Sequence, residues 1–386
     1  MLFYNQIKGN MKINFIYFLV LLSFLFIGWG STGHKMINKK SVESFPQEMN
    51  IFLYWASQLE ANSMNADNRK GSDPNESPKH YIDIDNYPSF INNGTIPQTW
   101  DSVIAIYGYN FVIDQGILPW AIMTTIDTLQ KTFERRDWTK AILTASDLGH
   151  YIADGHNPLH ITRNYNGQYT GQTGIHSRYE SSMINRYQAQ INYSGDSVNF
   201  VEDINEYIFS FIYRNYNYVD SVLYADSAAK AYANSTSSDL YYQKMWEISK
   251  GFTVLLFKEA SEILATLIYT AWKNAGSPQI TTEVEDEINK HFNFTLEQNY
   301  PNPFNPSTTI KYSVPYVIEN ETKQSQLIIL KVYDLLGNEV AALVNEEKSY
   351  GDFEVTFDAS GFSSGVYYYR LTAGDYSSSR KMILLK

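Results

Sequence analysis

The chain holds seven histidines, and most of them sit beside carboxylates at spacings that could bind metal. In His150-Tyr-Ile-Ala-Asp154-Gly-His156-Asn-Pro-Leu-His160, an imidazole and a carboxylate lie four residues apart. On a helix they share a face, so both can reach one ion or a pair of ions. Pro158 ends that helix, because the residue before a proline avoids the helical region, and His160 beyond the break is free to turn back toward the same pocket. His176-Ser-Arg-Tyr-Glu180 repeats the four-residue pairing. Upstream, Asp67 and His80 are separated by turn-rich sequence, and His34 follows an apolar N-terminal run. Imidazole and carboxylate are the ligands zinc accepts where thiolate is absent, and the chain has no cysteine. Clustered divalent ions would generate hydroxide near neutral pH and clamp a phosphoryl group from both sides. His156 and His291 fit no ligand role; His156 reads as a packing or hydrogen-bonding neighbour and His291 as part of a linker.

Helices must position these groups. From about Gly33 to Lys273 the apolar spacing is three and four, with clear helical runs over Trp120–Arg135, Thr139–Gly155, Val201–Tyr218 and Leu240–Lys273. Asp137 is placed to cap the second of these. At Ala275-Gly-Ser-Pro278 a polar, acidic linker begins. Beyond Asn299-Tyr-Pro-Asn-Pro-Phe-Asn-Pro306 come short β runs: Thr308–Val314, Leu327–Tyr333, Phe353–Phe357, Val366–Leu371 and Lys381–Leu385. The fold expected is an all-α catalytic domain followed by a small all-β, Ig-like sandwich.

The N-terminus reads as an export signal: Ile13–Gly28 is a mostly apolar run too short to favour a membrane span of ~20 residues. An uncleaved anchor is the other reading of that run. A net charge of −11 argues against a general nucleic-acid coat protein, and no stable nucleic-acid complex is expected. A nuclease is not excluded, since bound ions can supply the missing positive charge.

Over residues 29–274 these motifs resemble the zinc-dependent phospholipases C and the S1/P1 nucleases. The resemblance implies three zinc ions in one cleft of a helical domain. Trp29-Gly-Ser-Thr-Gly-His34 is similar to the mature start of that family, where the tryptophan donates its own amino and carbonyl groups. Cleavage after Gly28, closing a signal peptide over 1–28, is thereby implied. One ion would take Asp67, His80, His150 and Asp154; a second Trp29, His34 and a shared Asp154; the third His160, His176 and Glu180. Asp67 would orient or deprotonate the attacking water, and Asp154 would bridge two ions. Asp73 is the other candidate for the Asp67 position, and Ala66-Asp67-Asn-Arg fits the family segment better.

The resemblance divides over substrate. Glu180 is similar to the phospholipase branch, whereas the nuclease branch has aspartate followed by asparagine, here Ser181. His80-Tyr81-Ile-Asp83 resembles the nuclease branch, where the aromatic stacks on a base and the aspartate binds its edge, and Trp29-Gly-Ser-Thr-Gly-His34 and His156 also resemble that branch. The reading adopted is phospholipase C-like hydrolysis of phospholipids. The alternatives are cleavage of single-stranded DNA or RNA, and a non-catalytic zinc-binding surface protein.

Residues 297–386, after a linker at 275–296, resemble the sorting domain read by type IX secretion. The matching segments are Pro301-Asn-Pro-Phe-Asn-Pro306, Val332-Tyr-Asp-Leu-Leu-Gly337, Ser364-Gly-Val-Tyr-Tyr-Tyr-Arg-Leu371 and Lys381-Met-Ile-Leu-Leu-Lys386. That implies a secreted or surface-attached enzyme whose partner is the secretion machinery. A carbohydrate-binding β module is the other reading of the segment.

Overall fold

In the computed structural model, residues 30–280, 294–314, 325–349, 351–374 and 376–386 are described. The segment read as an export signal, Trp29 and His291 lie outside them. The helical and β parts each enclose a hydrophobic core of their own.

The helical part is organised around Asp239–Asn274, a helix of 36 residues, or about 54 Å at 1.5 Å per residue. Ser238 caps it, its hydroxyl accepting from the Tyr241 amide at 3.3 Å. The helix packs on Gly30–Ser41, Leu118–Glu134, Trp138–Gly155 and Val219–Ala233. At one end, Phe52 meets Trp55, Phe133, Trp138 and Trp272 at ring separations of 5.0–6.2 Å, edge-on or tilted contacts that each add about 0.5–1.5 kcal/mol beyond burial. Among the described residues no helix is long and apolar enough to cross a membrane.

Trp138–Gly155 is the helix that matters most for chemistry. Asp137 caps it, accepting from the Lys140 amide at 3.2 Å. Its second half, from Leu148 to Gly155, is buried on every side, which is how two polar residues on it come to be enclosed. Close approach is needed there: a Cβ on Gly149 would stand 2.3 Å from Asn38 Oδ1 and 2.7 Å from Leu264 Cδ2. Gly149→Ala will therefore push the helix away from Gly30–Ser41 and cost about 1–3 kcal/mol. Chemical denaturation of the purified variant checks this; an unchanged midpoint would refute it.

The β part has seven strands: β1 Thr295–Leu296, β2 Ser307–Val314, β3 Ser325–Tyr333, β4 Glu339–Ser349, β5 Gly351–Asp358, β6 Gly365–Ala373 and β7 Tyr376–Leu384. They form two antiparallel sheets, ordered β1-β2-β5 and β4-β3-β6-β7. Leu296, Ile310, Tyr312, Phe357, Leu330, Val332, Leu371 and Leu384 meet in one core, as a sandwich requires. Two boundaries differ from the sequence reading. β1 pairs with β2 two residues before 297. The first linker residues pack onto the helical core, with Ile280 buried and Trp272 Nε1 donating to the Pro278 carbonyl at 2.9 Å.

Candidate metal centre

Seven elements, drawn from four stretches of the chain, deliver one cluster. Gly30–Ser41 carries His34, Asn65–Arg69 carries Asp67, and a 3₁₀ turn at Ser77–His80 ends on His80. His150 and Asp154 come from Trp138–Gly155, and His160 ends a second 3₁₀ turn at Pro158–His160. His176 lies in the turn Ile175–Ser177 and Glu180 in a π-helical turn, Arg178–Met183. The Ile82 amide donates to the His160 carbonyl at 2.8 Å, joining the His80 and His160 segments side by side.

Around Asp154 the donor atoms converge. His80 Nδ1 lies 2.9 Å from Asp154 Oδ2 and 3.6 Å from Asp67 Oδ1. His150 Nε2 lies 3.4 Å from Asp67 Oδ1, 3.5 Å from Asp154 Oδ2 and 3.1 Å from His80 Nδ1. Ligands about 2.05 Å from a tetrahedral zinc stand ~3.3–3.4 Å apart, so these separations suit one ion. The other oxygen of Asp154, Oδ1, faces His34 Nε2 at 3.5 Å. His34 stacks flat on His150, ring centres 3.8 Å apart. A third set joins Glu180 Oε2 to His176 Nε2 at 3.0 Å and to His160 Nε2 at 3.4 Å.

Backbone carbonyls fix which ring nitrogen points inward. His150 Nδ1–H donates to the Ser63 carbonyl at 2.7 Å, His160 Nδ1–H to the His80 carbonyl at 2.7 Å, and His176 Nδ1–H to the Tyr165 carbonyl at 3.1 Å. Each leaves Nε2 with a lone pair aimed at the cluster, the usual outer support of metal-bound imidazole. Both ring nitrogens of His34, Oδ1 of Asp154 and Oδ2 of Asp67 are buried without a hydrogen-bond partner. Buried polar atoms are rarely left so. Metal ions of the oxygen- and nitrogen-binding kind fit this donor set.

Electrostatics agree. Burial alone would raise Asp154 and Asp67, yet the surrounding histidines, with Lys70 beside Asp67, hold both carboxyls well below the usual range. His160 would be lowered by burial, but Asp154 and Glu180 push it up to about 9. Burial and the neighbouring His150 hold His34 well below its ordinary value.

His34, Asp67, His80, His150, Asp154, His160, His176 and Glu180 all join the cluster; Asp73, the alternative to Asp67, does not, its carboxylate instead accepting from the Asn75 amide in an exposed turn. His156 stands apart, stacked on Phe211 at 4.8 Å, with burial lowering its pKa to about 3. Tyr81 and Asp83 line a cavity of about 220 Å³ beside the cluster, with Lys70, Ser77, Leu159 and Tyr165. Burial, with Asp85 nearby, raises Asp83 to about 7.

Several supports escape sequence reading. Glu76 is buried 3.5 Å from His80 Nε2, and it accepts from Arg69 at 3.2 Å, from Lys79 at 2.7 Å and from the Tyr151 hydroxyl. It lies four residues before His80, the same spacing that singles out His150 with Asp154. Asn157 Nδ2 donates to Glu180 Oε2 at 2.9 Å, a contact no local spacing signals.

Residues 298–385 match the family model described as the secretion system C-terminal sorting domain. This segment is that sorting domain, and it directs the chain by type IX secretion to the cell surface or beyond. No curated protein matches the chain by sequence. Among solved structures it is similar to the alpha toxin from Clostridium absonum, at 11% identity and a TM-score of 0.42, covering 94% of this chain and 99% of the toxin. It is also similar to the Clostridium perfringens alpha-toxin isolated from avian strain SWCP, at 12% identity and a TM-score of 0.42, covering 93% of this chain and 92% of that one. At these values the likeness assigns neither an activity nor a substrate.

Proposed function

We propose that the helical domain is a zinc-dependent phosphodiester hydrolase, acting as a phospholipase C on phospholipids at or outside the cell surface. The observation that carries the reading is the convergence of three buried His/carboxylate sets beside one cavity. His80, His150, Asp67 and Asp154 would hold one ion. His34 and the second oxygen of Asp154 would hold another, with Trp29 the expected companion. His160, His176 and Glu180 would hold a third. Zinc held there supplies Lewis acidity, polarising a phosphoryl oxygen and lowering the pKa of water toward 7.

The chain's own residues do the rest. Asp67 is ionised, ion-paired to Lys70 at 2.6 Å, and placed to orient the attacking water or accept its proton. Lys70 also lines the cavity, where its ammonium can meet a phosphate oxygen. Leu159 and Tyr165 line the same cavity, apolar and aromatic surface beside the cluster against which a headgroup can rest. The catalytic unit is taken as 29–280, preceded by a signal peptide over 1–28 and followed, after a linker, by the sorting domain from Thr295.

Lipid is favoured over nucleic acid by charge. Lys70 is the only lysine or arginine among the described residues lining the cavity, and the whole chain carries −11. Strand-binding grooves track the backbone with a line of cations. The second reading, a single-strand nuclease, rests on Tyr81 and Asp83 flanking the His80 position inside that cavity. Tyr81→Ala separates the two. A stacked base contributes about 1–3 kcal/mol, so a nuclease would lose roughly 5- to 150-fold in kcat/KM on single-stranded DNA. Phosphatidylcholine hydrolysis by the same variant should change less than about threefold, a fall of under 0.7 kcal/mol. A large loss on lipid would contradict the assignment of Tyr81 as dispensable there.

A further inference from the structure

We propose that Asp226, acting through Arg178, is the positioning residue that holds His176 and Glu180 in ligand geometry; this rests on the metal-binding reading above. Asp226 lies on the helix Val219–Ala233 and is fully buried. Its Oδ1 accepts from Arg178 Nε at 3.0 Å and Nη2 at 2.7 Å, and from the Tyr241 hydroxyl. Its Oδ2 accepts from Gln172 Nε2 at 2.9 Å. Arg178 completes the stitch by donating to the Thr173 carbonyl at 2.9 Å and the Gln172 carbonyl at 3.1 Å.

The placement of Arg178 gives this node its purpose. It sits midway between His176 and Glu180, whose side chains point to the cluster while its own reaches to Asp226. The backbone from Arg178 on is a π-helical turn, a rare and loosely wound geometry found frequently at functional sites. In a regular helix the ladder alone sets the relation of residues i and i+4. Here His176 lies in the turn Ile175–Ser177 and Glu180 in the π-helical turn that follows, so their relation spans a change of winding, and the contacts of Arg178 brace the backbone where the winding changes. Buried ion pairs are poor sources of stability, because desolvating both charges offsets their attraction, and apolar substitutes often do as well. A carboxylate held by donors from three separate segments is instead suited to fixing direction, and the direction it fixes is that of the third ligand pair. The same node reaches the loop before His176, where the Tyr165 carbonyl orients that imidazole.

The test uses the full chain loaded with zinc, in wild type, Asp226→Asn, Arg178→Lys and the double variant Arg178→Met with Asp226→Leu. The double variant removes both charges and keeps an apolar filling, so it covers the case in which a single change fails to fold. Zinc per chain is measured after equilibration against graded chelator buffers, the visible spectrum is recorded after cobalt substitution, and melting of the metal-free proteins is followed in parallel. The expected result is one ion held about 10- to 100-fold more weakly in Asp226→Asn and in the double variant, with Arg178→Lys intermediate, the other ions unchanged and one cobalt signature altered. Equal affinities for every ion and identical cobalt spectra, with only a lower melting temperature, would overturn the positioning role. A wild type that binds no zinc would overturn the metal-binding reading and this inference together.

Discussion

Asp154→Asn will lose at least about 10³-fold in phosphodiester hydrolysis and will bind fewer zinc ions than the wild type. Each oxygen of Asp154 faces a different donor set: Oδ2 meets His80 and His150, and Oδ1 meets His34. The carboxylate is fully buried, so water cannot substitute for it. Asparagine keeps the shape but replaces one acceptor with an amide donor aimed at imidazole lone pairs. Two ion positions are affected by one change. Loss of a single preorganised electrostatic group typically costs 2.7–4 kcal/mol of transition-state stabilisation, or 10²–10³ in rate. Hydrolysis rates and metal analysis on folded variant protein check this, with circular dichroism to confirm the helices. Full zinc content with near-normal turnover would show that Asp154 does not bridge.

Chelation will lower the melting temperature of the helical domain by on the order of 10 °C, and added zinc will restore it. Ions that bind only the folded chain stabilise it by about 4 kcal/mol at 1,000 times Kd, and a domain of this size shifts by about 2–4 °C per kcal/mol. Removing them leaves the carboxylates of Asp67, Asp154 and Glu180 enclosed together with only Lys70 and the histidines around them. The sorting domain has a core of its own and, among its described residues, no such cluster. Its transition should not move. Calorimetry with and without chelator checks both halves; a chelator shift confined to the β part, or no shift, would contradict the account.

Spacing made part of this site legible. His150 with Asp154 and His176 with Glu180 are local pairs, and four-residue periodicity is a local property of the chain. The long helices were equally readable, since their apolar periodicity reflects one-sided burial, and Asp137 caps where a cap was expected. Nonlocal supports were not. The Ser63 and Tyr165 carbonyls carry no sequence signal, because every residue has a carbonyl. Gln172, Arg178, Asp226 and Tyr241 look like ordinary surface polar residues until packing brings them together. Glu76 was within reach of the same spacing rule, but it precedes a 3₁₀ turn rather than lying on a helix.

In the β part, five strands follow from apolar alternation, whereas β4 does not. It is an edge strand of the four-stranded sheet, and Glu346, Glu347 and Lys348 interrupt its pattern. Charged residues are a common protection of such edges against pairing with other chains. The feature that hides β4 from a pattern search is thus the feature that suits it to its place. β1, at two residues, is too short to show any period.

The most direct test is to purify the exported chain, count its zinc, and assay phosphatidylcholine and single-stranded DNA side by side with and without chelator. The expected result is about three zinc ions per chain and chelator-sensitive release of diglyceride, with little cleavage of DNA. Bound zinc with neither substrate cleaved would contradict the central claim, and chelator-sensitive cleavage of DNA alone would contradict the lipid assignment.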